Sequence, residues 1–421
     1  RVGGIMAYPY LKGVSAIAED TGSGASSITI TLPTHATNDI LIANIHSAGG
    51  GTITTSTSGW AQIAAIAGTE DGAWWWKRAA SASETNPVFT SSTSDLFGIA
   101  YVIADCVTTG TPYEDATTAG DLTTAETNFD TAEITTSANG HVPMCFVQVA
   151  DDTAFSGWPV PGTNYIQLHD LSTPNGTDCR FQLWQKGTAD YYATFAENVL
   201  NLNGDGSGAF PRACGQSFTG DGFDLACVNV VLSKTGTPTG NLVATLYAHT
   251  GTFGTDGKPT ASALATSEVL DVSTLTTGSV SYVLYFKTPY TLVNGTKYCI
   301  ELEYALGSST NYVSVFGDTT SPTHGGNVSY YAGAWTANST KDMCFAVVTS
   351  GSITASTIAA ETSLRTFITS GTEHWASLTL AWIKVVTGTV YQQSCSTASA
   401  NIAAIVKVSK IVRSKATVNL A

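Results

Sequence analysis

Residues able to do chemistry are scattered along this chain rather than gathered into a motif. Seven histidines stand at positions 35, 46, 141, 169, 249, 324 and 374. Two of them adjoin an acid: His169 beside Asp170, and His374 beside Glu373. Neighbours on a strand point to opposite faces, so neither pair has the geometry of a base and its orienting carboxylate. Asp151 and Asp152 pair two acids in a turn, with no second carboxylate at the spacing glycoside hydrolysis uses. There is no G-x-S-x-G elbow, phosphate-binding loop, H-E-x-x-H or dinucleotide fingerprint. The expectation is a non-enzyme with no cofactor.

Two weaker signals concern ligands. Asn201-x-Asn203-x-Asp205-Gly206 imitates the opening of a calcium loop, with oxygens at alternate positions and glycine at the sharp turn. Its twelfth position is Arg212, where such a loop needs a bidentate glutamate. The stretch therefore reads first as a linker, with calcium as the alternative. Trp158 in FSGWPVPG, and Tyr330, Tyr331 and Trp335 in SYYAGAW, could stack on the rings of host surface glycans. The competing reading makes them plugs for the ends of a core. Of the eight cysteines, Cys145 and Cys344 sit in apolar runs and read as buried thiols. Cys214 and Cys227 flank a Gly/Asp-rich turn and are the best placed for a disulfide.

The elements that must position these residues are strands. Charged residues are only 12% of the chain, and Thr, Ser, Ala and 40 Gly fill their place. Such a composition favours pleated surfaces and tight turns. Short apolar runs such as DILIANIHS, LFGIAYVIADC, LACVNVVLSK and KYCIELEYA are bounded by Gly, Pro, Asn, Asp or Ser, which points to sandwiches. The expected fold is all-β, with two antiparallel, jelly-roll-like β-sandwiches. The first covers 1–209 and the second 210–350. Residues 351–386 complete the first, so the second is inserted, and 387–421 form a basic assembly segment. In the run Trp74-Trp75-Trp76, a strand would send Trp75 to one face and its neighbours to the other. The run is expected in a central strand of the first sandwich.

A net charge of −14 argues against a nucleic-acid partner, because phosphate contacts need clustered Lys and Arg. No apolar run approaches a membrane span, so membrane insertion is not expected. The opening RVGGIMAYPYLKG has no apolar signal region, and Met6 could be an initiator.

Gly59-Trp60, then Trp75-Trp76-Lys77 with Glu84, Pro87 and Phe89, then Gly98 to Ile103, resemble a β-sandwich common in structural proteins of tailed phages. Such domains close on a strand like Trp375–Ala381. QSFTGDG at 216–222, KTGTPTGNL at 234–242, ALATS at 263–267 and LVNGTKYCIELE at 292–303 resemble a jelly-roll-like module of phage and surface proteins. The resemblance implies a virion part, such as a tail fibre, surface or capsid decoration component, assembled in the host cytoplasm. Its partners would be copies of itself and other virion proteins. The alternative is a secreted bacterial adhesin or carbohydrate-binding protein at the cell surface.

After Glu373 no acid follows, yet Lys384, Lys407, Lys410, Arg413 and Lys415 do, so this last stretch is net +5 and the remainder −19. The β-branched run IVKVSKIV favours a strand added to a sheet edge, although Ser399 could cap a helix. Lys407, Lys410, Arg413 and Lys415 are the expected assembly residues. Deleting 395–421 should leave a soluble, folded protein that no longer builds the particle. Normal particle assembly by the truncated chain would contradict this.

Overall fold

In a computed structural model the protein is described over residues 9–21, 25–93, 95–126, 132–137, 141–150, 165–173, 179–204, 211–349, 357–358 and 373–383. Trp158, Asp205 and the basic residues 407–415 lie outside them. Strands, numbered β1 to β30 in chain order, make up almost all of the regular structure. The described residues hold one short 3-10 turn, Val272–Thr274, and no α-helix. No helix among them is long and apolar enough to cross a membrane.

The first sandwich has one sheet in the order β1 (Tyr10–Val14), β9 (Leu96–Ala104), β4 (Ile40–Ser47), β7 (Asp71–Arg78) and β6 (Ala61–Ala67). The strand β2 (Ala18–Asp20) also pairs with β9. Its facing sheet runs β10 (Tyr113–Glu126), β30 (Glu373–Trp382), β12 (Val142–Val149), β14 (Arg180–Lys186) and β13 (Tyr165–Ser172). A small sheet of β3 (Ser26–Thr29), β8 (Val88–Ser91) and β5 (Thr54–Thr55) supplies apolar cover to the far face of the first. Separately, β11 (Ile134–Thr135) pairs with β29 (Thr357–Ile358). The late strand β30 is antiparallel to β12 on one side and β10 on the other, with Leu378 opposite Phe146 and Thr118.

The second sandwich pairs β15 (Thr188–Tyr192), β28 (Phe345–Thr349), β18 (Asp224–Thr235), β24 (Tyr312–Asp318) and β16 (Glu197–Leu202) in order. There β22 (Val280–Thr291) joins β18 and β27 (Asp342–Met343) joins β24. Opposite stand β20 (Lys258–Thr266), β19 (Asn241–Thr250), β23 (Lys297–Glu303), β17 (Ala213–Thr219), β25 (Val328–Tyr331) and β26 (Trp335–Asn338). The short β21 (Leu270–Asp271) pairs with β19. Phe218, Leu232, Leu246, Ile300, Leu302 and Phe345 fill the core between them.

Two expectations need correction. Sheet membership changes well before residue 209, because β15 and β16 pair with β28 and β24. Tyr192 is buried in the second core, and its hydroxyl donates to Asp318 Oδ2 at 2.8 Å. Cys214 and Cys227 form no disulfide: both are free and buried. Cys214 lies in the second core, whereas Cys227 packs with Cys344 on the outer side of the opposite sheet.

The three tryptophans divide as a strand requires, although β7 is one strand in from the edge rather than central. Trp74 is fully buried between the two sheets with Ile42, Tyr101 and Phe146. Trp76 borders the same core, with its ring edge-on to Tyr113 at 6.0 Å. Trp75 faces the other way, 6.0 Å from Phe89, whose ring also meets Trp60 at 5.9 Å. Truncating Trp74 to Ala should cost about 3–5 kcal/mol in chemical denaturation. Trp75→Ala should cost less, because its ring is only half-buried. Equal losses, or none at Trp74, would contradict this packing.

Candidate functional site

The aromatic residues of SYYAGAW end up on two faces. Val328 of β25 enters the second core, and Tyr330 shares its side of the strand. Tyr331 and Trp335 are cross-strand partners on the outward side, their rings edge-on at 5.6 Å. Both are half-buried. The Arg212 guanidinium lies 4.6 Å from the Tyr331 ring centre, and its Nε is 3.3 Å from Glu303 Oε1. Two residues away on the same face of β23, Glu301 is 6% exposed. Burial pushes its carboxyl up to about 7, and the Glu303 charge adds to the shift. This rim could hold a planar apolar face against rings flanked by one cation and one carboxylate.

A second acid–imidazole contact, besides His141 Nδ1 with Glu114 Oε1 at 2.5 Å, joins Asp190 and His324. Gly326 N–H donates to His324 Nδ1 at 3.0 Å, which leaves Nε2–H to donate to Asp190 Oδ1 at 3.1 Å. Asp342 accepts from the His324 backbone N–H at 3.1 Å and from the Gln216 amide at 3.0 Å. Its burial raises the carboxyl to about 6. The imidazole also meets the Phe345 ring edge-on at 5.1 Å. Nδ1 is therefore occupied by backbone, where a catalytic base would face a hydroxyl or thiol. This constellation ties β15, β17 and β27 together; sequence reading missed it because its members are far apart in the chain.

A third cluster lies inside the first sandwich. His46 Nε2 is 3.2 Å from Glu70 Oε2, and His374 Nδ1 is 3.4 Å from Glu70 Oε1. Beside them Asn44 and Gln148 are fully buried, with no hydrogen bond to either amide. Gly72, the register partner of His46, makes room for Gln148: a Cβ there would fall 1.9 Å from Nε2. Glu70 joins two imidazoles on different oxygens. Among the described residues no group of three His, Cys, Asp or Glu is arranged to hold a metal ion.

The calcium-like stretch begins in a strand rather than a loop. Asn201 belongs to β16, and its Oδ1 accepts from Asn198 Nδ2 at 2.6 Å and Ser314 Oγ at 2.9 Å. Asn203 is fully buried. His169 and Asp170 also separate: Asp170 binds Arg180 through both carboxylate oxygens at 2.5 Å, while burial lowers His169 to about 4.

Set against known protein families, characterised proteins and solved structures, the chain has no match.

Glu301 gives a test of the outward rim. Folded, it keeps a proton that the unfolded chain releases above the ordinary value of 4.5, so stability falls as pH rises from there through about 7. The loss is on the order of 3 kcal/mol at full ionisation. Glu301→Gln should raise Tm relative to wild type at about pH 8 and change it little at about pH 4. A variant no more stable than wild type at the higher pH would contradict the buried, strained carboxyl.

Proposed function

We propose that the protein is a non-enzymatic structural component of a phage-like particle, at its surface, in a fibre or as capsid decoration. The reading rests on the motif residues that resemble virion sandwiches and on what those residues do here. Lys77 Nζ meets Glu84 Oε2 at 2.7 Å, and Glu84 Oε1 accepts from Ala80 N–H at 2.6 Å and Ser81 N–H at 3.2 Å. The ion pair, with those hydrogen bonds, holds the Glu84 carboxyl below its usual range. Phe89 then locks against Trp60 and Trp75. These residues brace a β7–β8 connection, which suits a part selected for persistence. Self-association and contacts with other virion proteins follow from this role, with the basic segment at 407–415 as one contact.

A second reading has its own observation. Tyr331, Trp335 and Arg212 form an outward aromatic and cationic rim of the kind carbohydrate-binding surfaces use. On that reading the chain is a secreted adhesin or binding protein.

Particles banded from a lysate of the producing host should contain this chain in fixed proportion to the other particle proteins. Recovery only from the culture medium or the cell surface would overturn the virion reading. Glycan binding lost in Trp335→Ala would then favour the second.

A further inference from the structure

The two sandwiches have separate cores, and separate cores in one chain ordinarily move relative to each other unless a substantial apolar contact joins them. Here they are joined at two places. The first is the crossing itself. Only Gly187 stands between β14 of the first sandwich and β15 of the second. β15 runs antiparallel to β28, the last strand of the second sandwich, with Thr188 opposite Val348 and Tyr192 opposite Phe345. Thr349 N–H donates back to Gly187 O at 3.3 Å. The strands that enter and leave the second sandwich are zipped to each other, with no slack on the entering side.

The second place is a face. Edge strand β13 bulges at Leu168, between Gln167 and His169. Leu168 packs both against the first core and against the cluster of Cys227, Val231 and Val348 on the outer side of the second sandwich. Tyr285 of β22 also touches both clusters, and its ring lies 5.2 Å from that of Tyr10 on β1. Asn229, fully buried on β18, donates through Nδ2 to Gln167 O at 2.8 Å and accepts from Ser281 at Oδ1. A backbone carbonyl of one sandwich is thus satisfied by a side chain of the other.

We propose that this face is a lock: it makes the two sandwiches one rigid body that unfolds cooperatively, with the second carried at a fixed angle to the first. Swinging about Gly187 would pull Leu168 and Tyr285 out of a cluster and break the Asn229–Gln167 bond in the same movement. Packed contacts of this kind hold together or part together rather than deform gradually. The lock goes beyond the virion reading and does not depend on it.

Buried thiols read each sandwich separately. Cys106 and Cys179 lie in the first core, while Cys214 and Cys299 are buried in the second sandwich. Pulsed alkylation of the full chain in urea, read cysteine by cysteine by mass spectrometry, should give these thiols one common midpoint. Leu246→Ala truncates the second core on the sheet away from the lock. It should lower the midpoint at all of them by about 0.5–1 M urea. In the double variant Leu168→Ala/Asn229→Ala, the same truncation should move Cys214 and Cys299 alone. Separate midpoints in the wild-type chain overturn the proposal, as does a Leu246→Ala shift confined to the second sandwich. Coupling that survives the double variant also overturns it, and assigns the joint to the crossing at Gly187. If the double variant exposes its thiols without urea, Asn229→Ala alone carries the same comparison.

Discussion

The first sandwich depends on the two hydrogen-bonded ladders of β30. Without it, β10 and β12 are separated and each loses a row of backbone partners. The same strand delivers Ala376, Leu378, Leu380 and Trp382 to the core that encloses Trp74, Tyr101 and Phe146. Ring contacts continue outward, from Phe146 to Trp382, then Tyr113, then Trp76. One strand near the end of the chain thus fixes the burial of the tryptophans near its beginning. So long a loop closure raises contact order, and slow folding is its ordinary consequence.

Polar groups inside the two sandwiches are managed in opposite ways. In the second, Asp190, Gln216, His324 and Asp342 satisfy one another and the adjoining backbone. In the first, Asn44, Gln148 and Tyr101 are buried without hydrogen-bond partners. Each such group costs on the order of 1–3 kcal/mol, which the surrounding apolar core must offset. The close fit of Gln148 over Gly72 shows that the site is packed around the amide rather than merely tolerating it.

Fold class was legible because β-branched and aromatic runs alternate with turn residues throughout, and the split of Trp74 to Trp76 follows from strand periodicity alone. The expected pairing of HWASLTLAW with early strands needed no more than an apolar alternation that lacked a partner. The boundary near residue 209 was misplaced because Gly/Asp-rich NGDGSG looks like a linker, whereas the actual change of sheet falls at Gly187, one residue between β14 and β15. Cys214 and Cys227 misled for a similar reason: closeness in sequence across a turn says nothing about which sheet face each occupies. The His46–Glu70–His374 and Asp190–His324–Asp342 clusters have no local signature, since tertiary register alone assembles them. Tyr330 was grouped with Tyr331 and Trp335 by sequence adjacency, yet strand alternation turns it to the other face.

The most direct test of the account is native-state hydrogen exchange along β30. Amides from Ala376 to Ala381 should exchange as slowly as those of Ile42 to Ile45 in β4, through the same global opening, because both strands are interior to the sheets of one core. Fast exchange at 376–381 while Phe146 and Ile42 stay protected would mean that the first core stands without β30, and the account would be wrong.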